Sequence, residues 1–119
     1  MDRKLLLILN PTSGRGAAAG SLFSIVNGFS KTGWGVTVIP TQEKGDAQKI
    51  ARERAADFPF LVCCGGDGTL NETVNGLMEV QDRPLLGYIP AGTTNDFAAT
   101  LGIPHNPEQA ALEIGGGQP

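Results

Sequence analysis

The chain has 119 residues, of which 40% are hydrophobic and 18% charged, so it can form one domain with a packed core. Its formal net charge of −3 argues against a nucleic-acid-binding surface, which normally carries a basic stripe. The longest apolar run, Leu5–Leu9, is too short to span a bilayer, and Asn10-Pro11 breaks it before a signal peptide could form.

The two cysteines, Cys63 and Cys64, are adjacent in the sequence, and His105 is the only histidine. Neighbouring cysteines rarely form a disulfide, and this set has no metal-site spacing. We therefore expect two buried thiols in a strand of a cytoplasmic protein, and a structural role for His105 in a loop or helix lead-in.

Short apolar runs alternate with segments of helical period along the chain. Strands are predicted at Leu5–Leu9, Val36–Ile39, Phe60–Cys64 and Leu85–Ile89. Three apolar stripes predict helices: Leu22, Ile25, Val26 and Phe29; Ala47, Ile50, Ala51 and Ala55; and Leu70, Val74, Leu77 and Met78. Asp46 is predicted to cap the second helix, and two further helices are predicted after Thr94 and from Asn106-Pro107.

This alternation predicts an α/β fold with a doubly wound, mainly parallel sheet flanked by helices. Ligands of such sheets bind at the carboxyl ends of the strands. The loops Asn10–Gly16, Gly65–Thr69 and Pro90–Asn95 are therefore the first candidates for a site.

The strongest signal is Gly65-Gly66-Asp67-Gly68-Thr69, between a predicted strand and a predicted helix. Glycines let a backbone bend and bring its N–H groups against phosphate oxygens, and the following helix N-terminus favours the same anion. Asp67 beside phosphates suggests a Mg²⁺ ion between them. Thr69 with Glu72 also matches a capping box, so both could simply begin the helix.

A second glycine pattern, Gly14-x-Gly16-x-x-Ala19, follows the first predicted strand. It matches the dinucleotide fingerprint poorly because four residues separate its first glycine from the strand. Glu43, the acidic residue at a suitable distance, lies beyond Pro40 and outside the second strand.

Four motifs in order resemble the catalytic domain of the diacylglycerol kinase family, which includes sphingosine, ceramide and bacterial lipid kinases. The first two are Asn10-Pro11-x-Ser13-Gly14 and Thr41-x-x-x-Gly45-Asp46-Ala47. The third is the glycine run itself, Gly65-Gly66-Asp67-Gly68-Thr69-Leu70-Asn71-Glu72, which continues to Val74-Asn75-Gly76. The fourth is Pro90-x-Gly92-Thr93-x-Asn95-Asp96-Phe97-Ala98.

The resemblance implies ATP and Mg²⁺ as cofactors and transfer of the γ-phosphate of ATP to a lipid hydroxyl. It implies a catalytic role for Asp67 near the phosphates and Mg²⁺. No metal ligand is assigned within this chain, although Asp67 could act on the ion indirectly through ATP. It implies nucleotide contacts from Asn10, Pro11, Thr12, Ser13, Gly14, Thr41, Gly65, Gly66, Asp67, Gly68, Thr69, Leu70, Asn71, Glu72, Gly92, Thr93 and Asn95.

The resemblance also implies a second, β-rich domain that supplies the general base and the lipid cleft. We accordingly expect residues 1–114 to form the ATP-binding domain and residues 115–119 to be a linker to a domain absent from this sequence. Alone, the fragment is expected to be inactive. Membrane contact would be peripheral and made by the full-length protein, and a homodimer is conceivable.

Three alternatives stay open at this point. NAD kinases and phosphofructokinase-like enzymes also use a Gly-Gly-Asp-Gly loop on a doubly wound domain. A non-catalytic nucleotide-binding module would keep the binding residues without a base. A dinucleotide oxidoreductase domain would bind NAD and not ATP. The acceptor lipid, the base and the oligomeric state are not encoded in recognisable motifs.

Overall fold

A computed structural model describes residues 3–91 and 106–116 of the chain. Its centre is a four-stranded sheet built from β1 (Lys4–Leu9), β2 (Gly35–Pro40), β3 (Phe60–Gly65) and β4 (Leu85–Pro90). The strands lie in the order β2-β1-β3-β4, and all three neighbouring pairs are parallel. The predicted α/β class with a parallel sheet is confirmed.

Helices cover both faces of this sheet. They are α1 (Ala17–Gly20), α2 (Leu22–Lys31), α3 (Asp46–Arg54), α4 (Asp67–Leu77) and α5 (Pro107–Gly116), with a short 3₁₀ turn at Ala55–Asp57. The helix predicted after Thr94 lies outside the described residues. In the part of the chain that is described, no helix has the length and apolar character needed to cross a bilayer.

The longest apolar runs of the sequence form β1 and β3, the two central strands of the sheet. In β1, Leu5, Leu7 and Leu9 pack with α2 and α5, whereas Leu6 and Ile8 pack with α3 and α4. Strand β3 alternates in the same way. A strand buried on both faces has no position for a polar side chain, so its sequence is continuously apolar.

The buried face of α4 differs from the predicted stripe. Val74 and Met78 are 38% and 61% exposed, and the buried residues are Thr69, Thr73, Gly76 and Leu77. The reason is a close approach to α3: a Cβ added at Gly76 would lie 2.8 Å from the Cβ of Ala51 and would collide with the carbonyl of Gln48. Leu70 and Leu77 of the predicted stripe therefore pack inward, but Thr73 and Gly76 take the buried places expected for Val74 and Met78.

The predicted N-cap of α3 is also wrong. Gly45, with φ at 93°, is the N-cap of α3, and Asp46 is its first residue. A left-handed cap is most easily adopted by glycine. Helix α5 begins at Pro107 as predicted and continues to Gly116, with Gly115 buried, so residues 115 and 116 are helical.

Candidate functional site

The order of the strands places two of the predicted loops side by side. From β1 the chain crosses to β2 on one side and then returns past β1 to β3 on the other, so the order reverses between β1 and β3. The loops after these strands meet there, where the N–H of Asn10 donates to the carbonyl of Cys64 at 3.0 Å. A crevice at such a reversal is the usual ligand position in doubly wound sheets.

The glycine loop joins β3 to α4, and its glycines differ in burial and in the space around them. Gly65 is buried, and a Cβ there would lie 2.7 Å from the Cβ of Thr69. Gly66 has an extended backbone, with φ at −92° and ψ at −169°, which any residue can adopt. Ideal Cβ positions at Gly66 and Gly68 meet no described atom within 4 Å. Gly65 thus serves packing, whereas Gly66 and Gly68 leave space in front of the loop.

The predicted capping box at Thr69 and Glu72 is wrong. Helix α4 begins two residues earlier, at Asp67, and its N-cap is Gly66. Thr69 is a buried residue of the first turn, and Glu72 accepts a hydrogen bond from the N–H of Gly45 instead. Among the described residues no side chain caps α4, so the N–H groups of its first turn keep the partial positive charge of a helix start.

Asn10 organises the loop that follows β1. Its Oδ1 accepts from the N–H and the hydroxyl of Thr12 at 3.1 and 2.9 Å, and its Nδ2 donates to the hydroxyl of Thr69 at 3.4 Å. These contacts tie the first loop to the first turn of α4. The glycine pattern further along, with Gly14 and Gly16 at positive φ, leads only into the four-residue helix α1.

A further loop, residues 41–45 between β2 and α3, lies next to the two loops already described and forms another side of the site. Thr41 is buried, and its N–H donates to the carbonyl of Leu9 at 2.8 Å, which continues the sheet ladder. The carboxylate of Asp46 accepts from the N–H groups of Gln42 and Glu43 at 2.7 and 3.2 Å. This arrangement folds the loop back toward the cleft.

A cleft of about 500 Å³ opens between the three loops. Seven of the predicted site residues line it: Asn10, Pro11, Thr12, Thr41, Gly68, Thr69 and Glu72. Four further lining residues were not predicted: Gln42, Glu43, Lys44 and Ala47. Lys44 is the basic side chain among the described lining residues, and its place inside the Thr41-to-Gly45 motif was the signal that could have identified it.

The remaining predicted residues are placed differently. Asp67, Leu70 and Asn71 line a second pocket, of about 360 Å³, together with Val74. Neither pocket is lined by Ser13, Gly14, Gly65 or Gly66. Gly92, Thr93, Asn95 and His105 lie outside the described residues, and so does most of the fourth motif.

The two cysteines lie at the end of β3, below the glycine loop. Both are buried, and desolvation raises the pKa of each thiol to about 12. The hydrogen bond between Cys63 and Thr73 opposes that shift and does not overcome it. The predicted burial of both cysteines in a strand is confirmed, and such protonated thiols are poor nucleophiles.

A parallel sheet with a glycine-rich strand-to-helix loop at its reversal point defines a doubly wound α/β domain. The family model described as the diacylglycerol kinase catalytic domain matches residues 4–119. The chain therefore belongs to the diacylglycerol kinase catalytic domain family.

Named relatives agree with this family. The chain is 45% identical over 103 residues to the diacylglycerol kinase of Bacillus subtilis strain 168, which covers 86% of this chain and 34% of that protein. It is 40% identical over 116 residues to the diacylglycerol kinase of Staphylococcus aureus strain JH9, covering 96% and 36%. The chain thus spans about a third of the length of the curated relatives it matches.

Solved structures share the fold. A crystal structure of a diacylglycerol kinase from Bacillus anthracis str. Sterne superposes with a TM-score of 0.81 at 40% identity. The match covers 95% of this chain and 42% of that one. Together these comparisons confirm the family resemblance found in the four motifs.

Proposed function

We propose that this chain is the ATP-binding part of a lipid kinase that transfers the γ-phosphate of ATP to a lipid hydroxyl such as that of diacylglycerol. The supporting observation is the first turn of α4, whose N–H groups are uncapped within the described residues and border the cleft beside Gly68 and Thr69. Uncapped helix starts favour phosphate groups. The family membership of the chain supports the kinase chemistry.

The cleft offers complementary groups to a nucleoside triphosphate. Thr41 can donate a hydroxyl hydrogen bond, and Lys44, in the same loop, supplies a positive charge. Such a combination positions phosphates and neutralises the charge that spreads over them during transfer. In this proposal the residues of the cleft act by binding and orientation rather than by covalent chemistry.

The side chains of the site could bind Mg²⁺ only together with the phosphates of the nucleotide. Among the described residues no group of three His, Cys, Asp or Glu side chains could hold a metal ion. Mg²⁺ commonly uses one or two carboxylates together with substrate phosphates and water. Asp67 lines the second pocket but adjoins Gly68 of the cleft, so its carboxylate is proposed to act on Mg²⁺ indirectly, through the ion bound to ATP.

The acceptor side of the reaction is assigned to other parts of the protein. The general base and the lipid cleft are proposed to lie in the portion of the relatives' length that this sequence does not span. A base must lie within hydrogen-bond reach of the acceptor hydroxyl. Residues 1–119 alone are therefore expected to bind nucleotide without efficient turnover.

Calorimetric titration with ATP, with and without Mg²⁺, tests the proposal, and NAD is the control ligand. We expect saturable ATP binding that is lost in Gly66→Val, because the added side chain would project into the space in front of the loop. The extended backbone of Gly66 tolerates valine, so circular dichroism should show an intact fold. NAD binding without ATP binding would contradict the proposal and favour a dinucleotide domain.

The acceptor is tested separately in the complete natural protein that carries this sequence. Diacylglycerol in mixed micelles is compared with NAD and fructose 6-phosphate as phosphate acceptors. Label transfer to diacylglycerol alone is the expected result. Transfer to NAD or to the sugar phosphate would instead support one of the related kinase classes.

A further inference from the structure

We infer that Glu72 is a positioning residue, which holds the loop of residues 41–45 against the cleft instead of contacting the nucleotide. The inference deepens the proposed function and rests on it, because the loop in question forms one wall of the proposed ATP site. The resemblance to the kinase family had implied a direct nucleotide contact for Glu72. The hydrogen bonds of the structure point to a different role.

The key contact crosses from one helix to the next. The Oε1 of Glu72, in the second turn of α4, accepts a hydrogen bond from the N–H of Gly45 at 3.1 Å. Gly45 is the N-cap of α3 and directly follows Lys44 in the chain. Its left-handed backbone, with φ at 93°, turns the chain from the loop into the helix. Glu72 therefore holds the loop at its turning point.

Two further contacts of α3, with α4 and with the turn after it, involve no residue that lines the cleft. Gly76 permits the close crossing of the two helices beside Gln48 and Ala51. Beyond it, Glu79 accepts from the side chain of Gln48 at 3.2 Å and lies 3.7 Å from a guanidinium nitrogen of Arg52. In the described part of the chain, the Glu72 side chain is the one on α4 with a hydrogen bond to the loop of residues 41–45.

Charge also argues for this role. A carboxylate directly against a triphosphate would be repelled unless a cation lay between them. A carboxylate that accepts from a helix-cap N–H is instead in a favourable place, because the N-terminus of α3 carries partial positive charge. Glutamine, a neutral acceptor of similar shape, could make the same hydrogen bond with the N–H of Gly45. A glutamine variant therefore distinguishes a side chain that positions the loop from one whose charge acts on the nucleotide.

The experiment compares three variants in the complete natural protein: Glu72→Ala, Glu72→Gln and Glu79→Ala. Glu72→Gln keeps an oxygen acceptor for the N–H of Gly45. Glu79→Ala is the matched control, since it removes a carboxylate that joins the turn after α4 to α3 but lies outside both pockets. Steady-state kinetics give KM for ATP and kcat, and hydrogen exchange gives the protection of the Gly45 amide without nucleotide.

We expect Glu72→Ala to raise KM for ATP roughly tenfold, with a smaller change in kcat, as for loss of one charge-assisted hydrogen bond. The Gly45 amide should exchange about tenfold faster in the same variant, because it has lost its acceptor. Glu72→Gln should restore both values to within about threefold of the wild type. Glu79→Ala should leave KM for ATP and the Gly45 amide unchanged.

Three results would overturn the inference. Unchanged exchange at Gly45 in Glu72→Ala would show that the contact does not hold the loop. Equal loss of ATP affinity in the alanine and glutamine variants would show that the charge acts on the ligand directly. An equal effect of Glu79→Ala would reduce the role to general packing of the two helices.

Failure of the proposed function gives a different pattern. If the wild type neither binds nor uses ATP, the kinase proposal fails, whereas the exchange of the Gly45 amide still decides whether Glu72 holds the loop. If the wild type uses ATP and all three variants give the same KM for ATP and the same exchange of the Gly45 amide, only the inference about Glu72 fails.

Discussion

The side-chain amide of Asn10 donates a hydrogen bond to the hydroxyl of Thr69 at 3.4 Å, although 59 positions separate the two residues. Asn10 follows β1, and Thr69 lies in the first turn of α4 after β3. Because β1 and β3 are parallel neighbours, their carboxyl ends bring these side chains together. The contact joins the two loops that form the floor of the cleft.

This relationship predicts unequal effects of two substitutions. Asn10→Ala removes all three side-chain hydrogen bonds of Asn10 and should lower the free energy of unfolding by about 1–3 kcal/mol. Thr69→Val keeps the buried shape and removes one long hydrogen bond, so its effect should be below about 1 kcal/mol. Urea denaturation measures both. A larger effect from Thr69→Val would contradict the role assigned to Asn10.

Substitution of Asp67 should lower the turnover of the enzyme without a matching loss of folding stability. In the complete natural protein, Asp67→Ala is expected to lower turnover at least about a hundredfold, as for loss of a group that stabilises transferring charge. Its side chain is exposed at the start of α4, so the free energy of unfolding should change by less than about 1 kcal/mol. Asp82→Ala, an exposed carboxylate after the same helix, is the control. Turnover near the wild-type rate in Asp67→Ala would remove its catalytic role.

Two glycines of α4 should respond in opposite directions to alanine. Gly76→Ala introduces a Cβ into the crossing with α3 and should destabilise the fold by about 1–3 kcal/mol. Gly68→Ala meets no described neighbour within 4 Å and should stabilise the helix by up to about 1 kcal/mol. It should nevertheless weaken ATP binding, because the methyl group enters the cleft. Thermal unfolding and calorimetry together check both expectations, and destabilisation by Gly68→Ala would contradict them.

The buried thiols predict a loss of stability at alkaline pH. The folded state holds the pKa of Cys63 and Cys64 at about 12, against a reference of 9.0. Above pH 9 the unfolded chain loses thiol protons that the folded chain retains, so the free energy of unfolding falls as pH rises from about 9 to 12. Each thiol contributes a slope of up to about 1.4 kcal/mol per pH unit.

The measurement is urea denaturation between pH 7 and pH 10.5, with Cys63→Ala/Cys64→Ala as the matched control. The wild type should lose more stability than the double variant across the upper part of this range, and the two should run parallel below pH 8. Identical curves above pH 9 would show that the thiols are not held protonated by burial.

The helix α4 shows where prediction from the sequence failed. Its large apolar residues suggested a buried stripe that included Val74 and Met78, yet both are exposed. The burial of Thr73 and Gly76 depends on how closely α3 approaches, and that distance is set by residues of a different segment. Thr69 and Glu72 likewise matched a capping box, but α4 begins at Asp67, and their side chains bond to Asn10 and Gly45 of distant loops instead.

The sequence by itself determined the parallel α/β class, the positions of all four strands and the family. Strands buried on both faces must be continuously apolar, and a loop that leaves space for a ligand needs glycines, so both features are visible in local composition. Only the tertiary structure decided the strand order, the placing of Lys44 in the cleft and the contact of Glu72 with Gly45. Each of these depends on groups far apart in the chain, whose proximity follows from strand pairing and helix packing rather than from any local pattern.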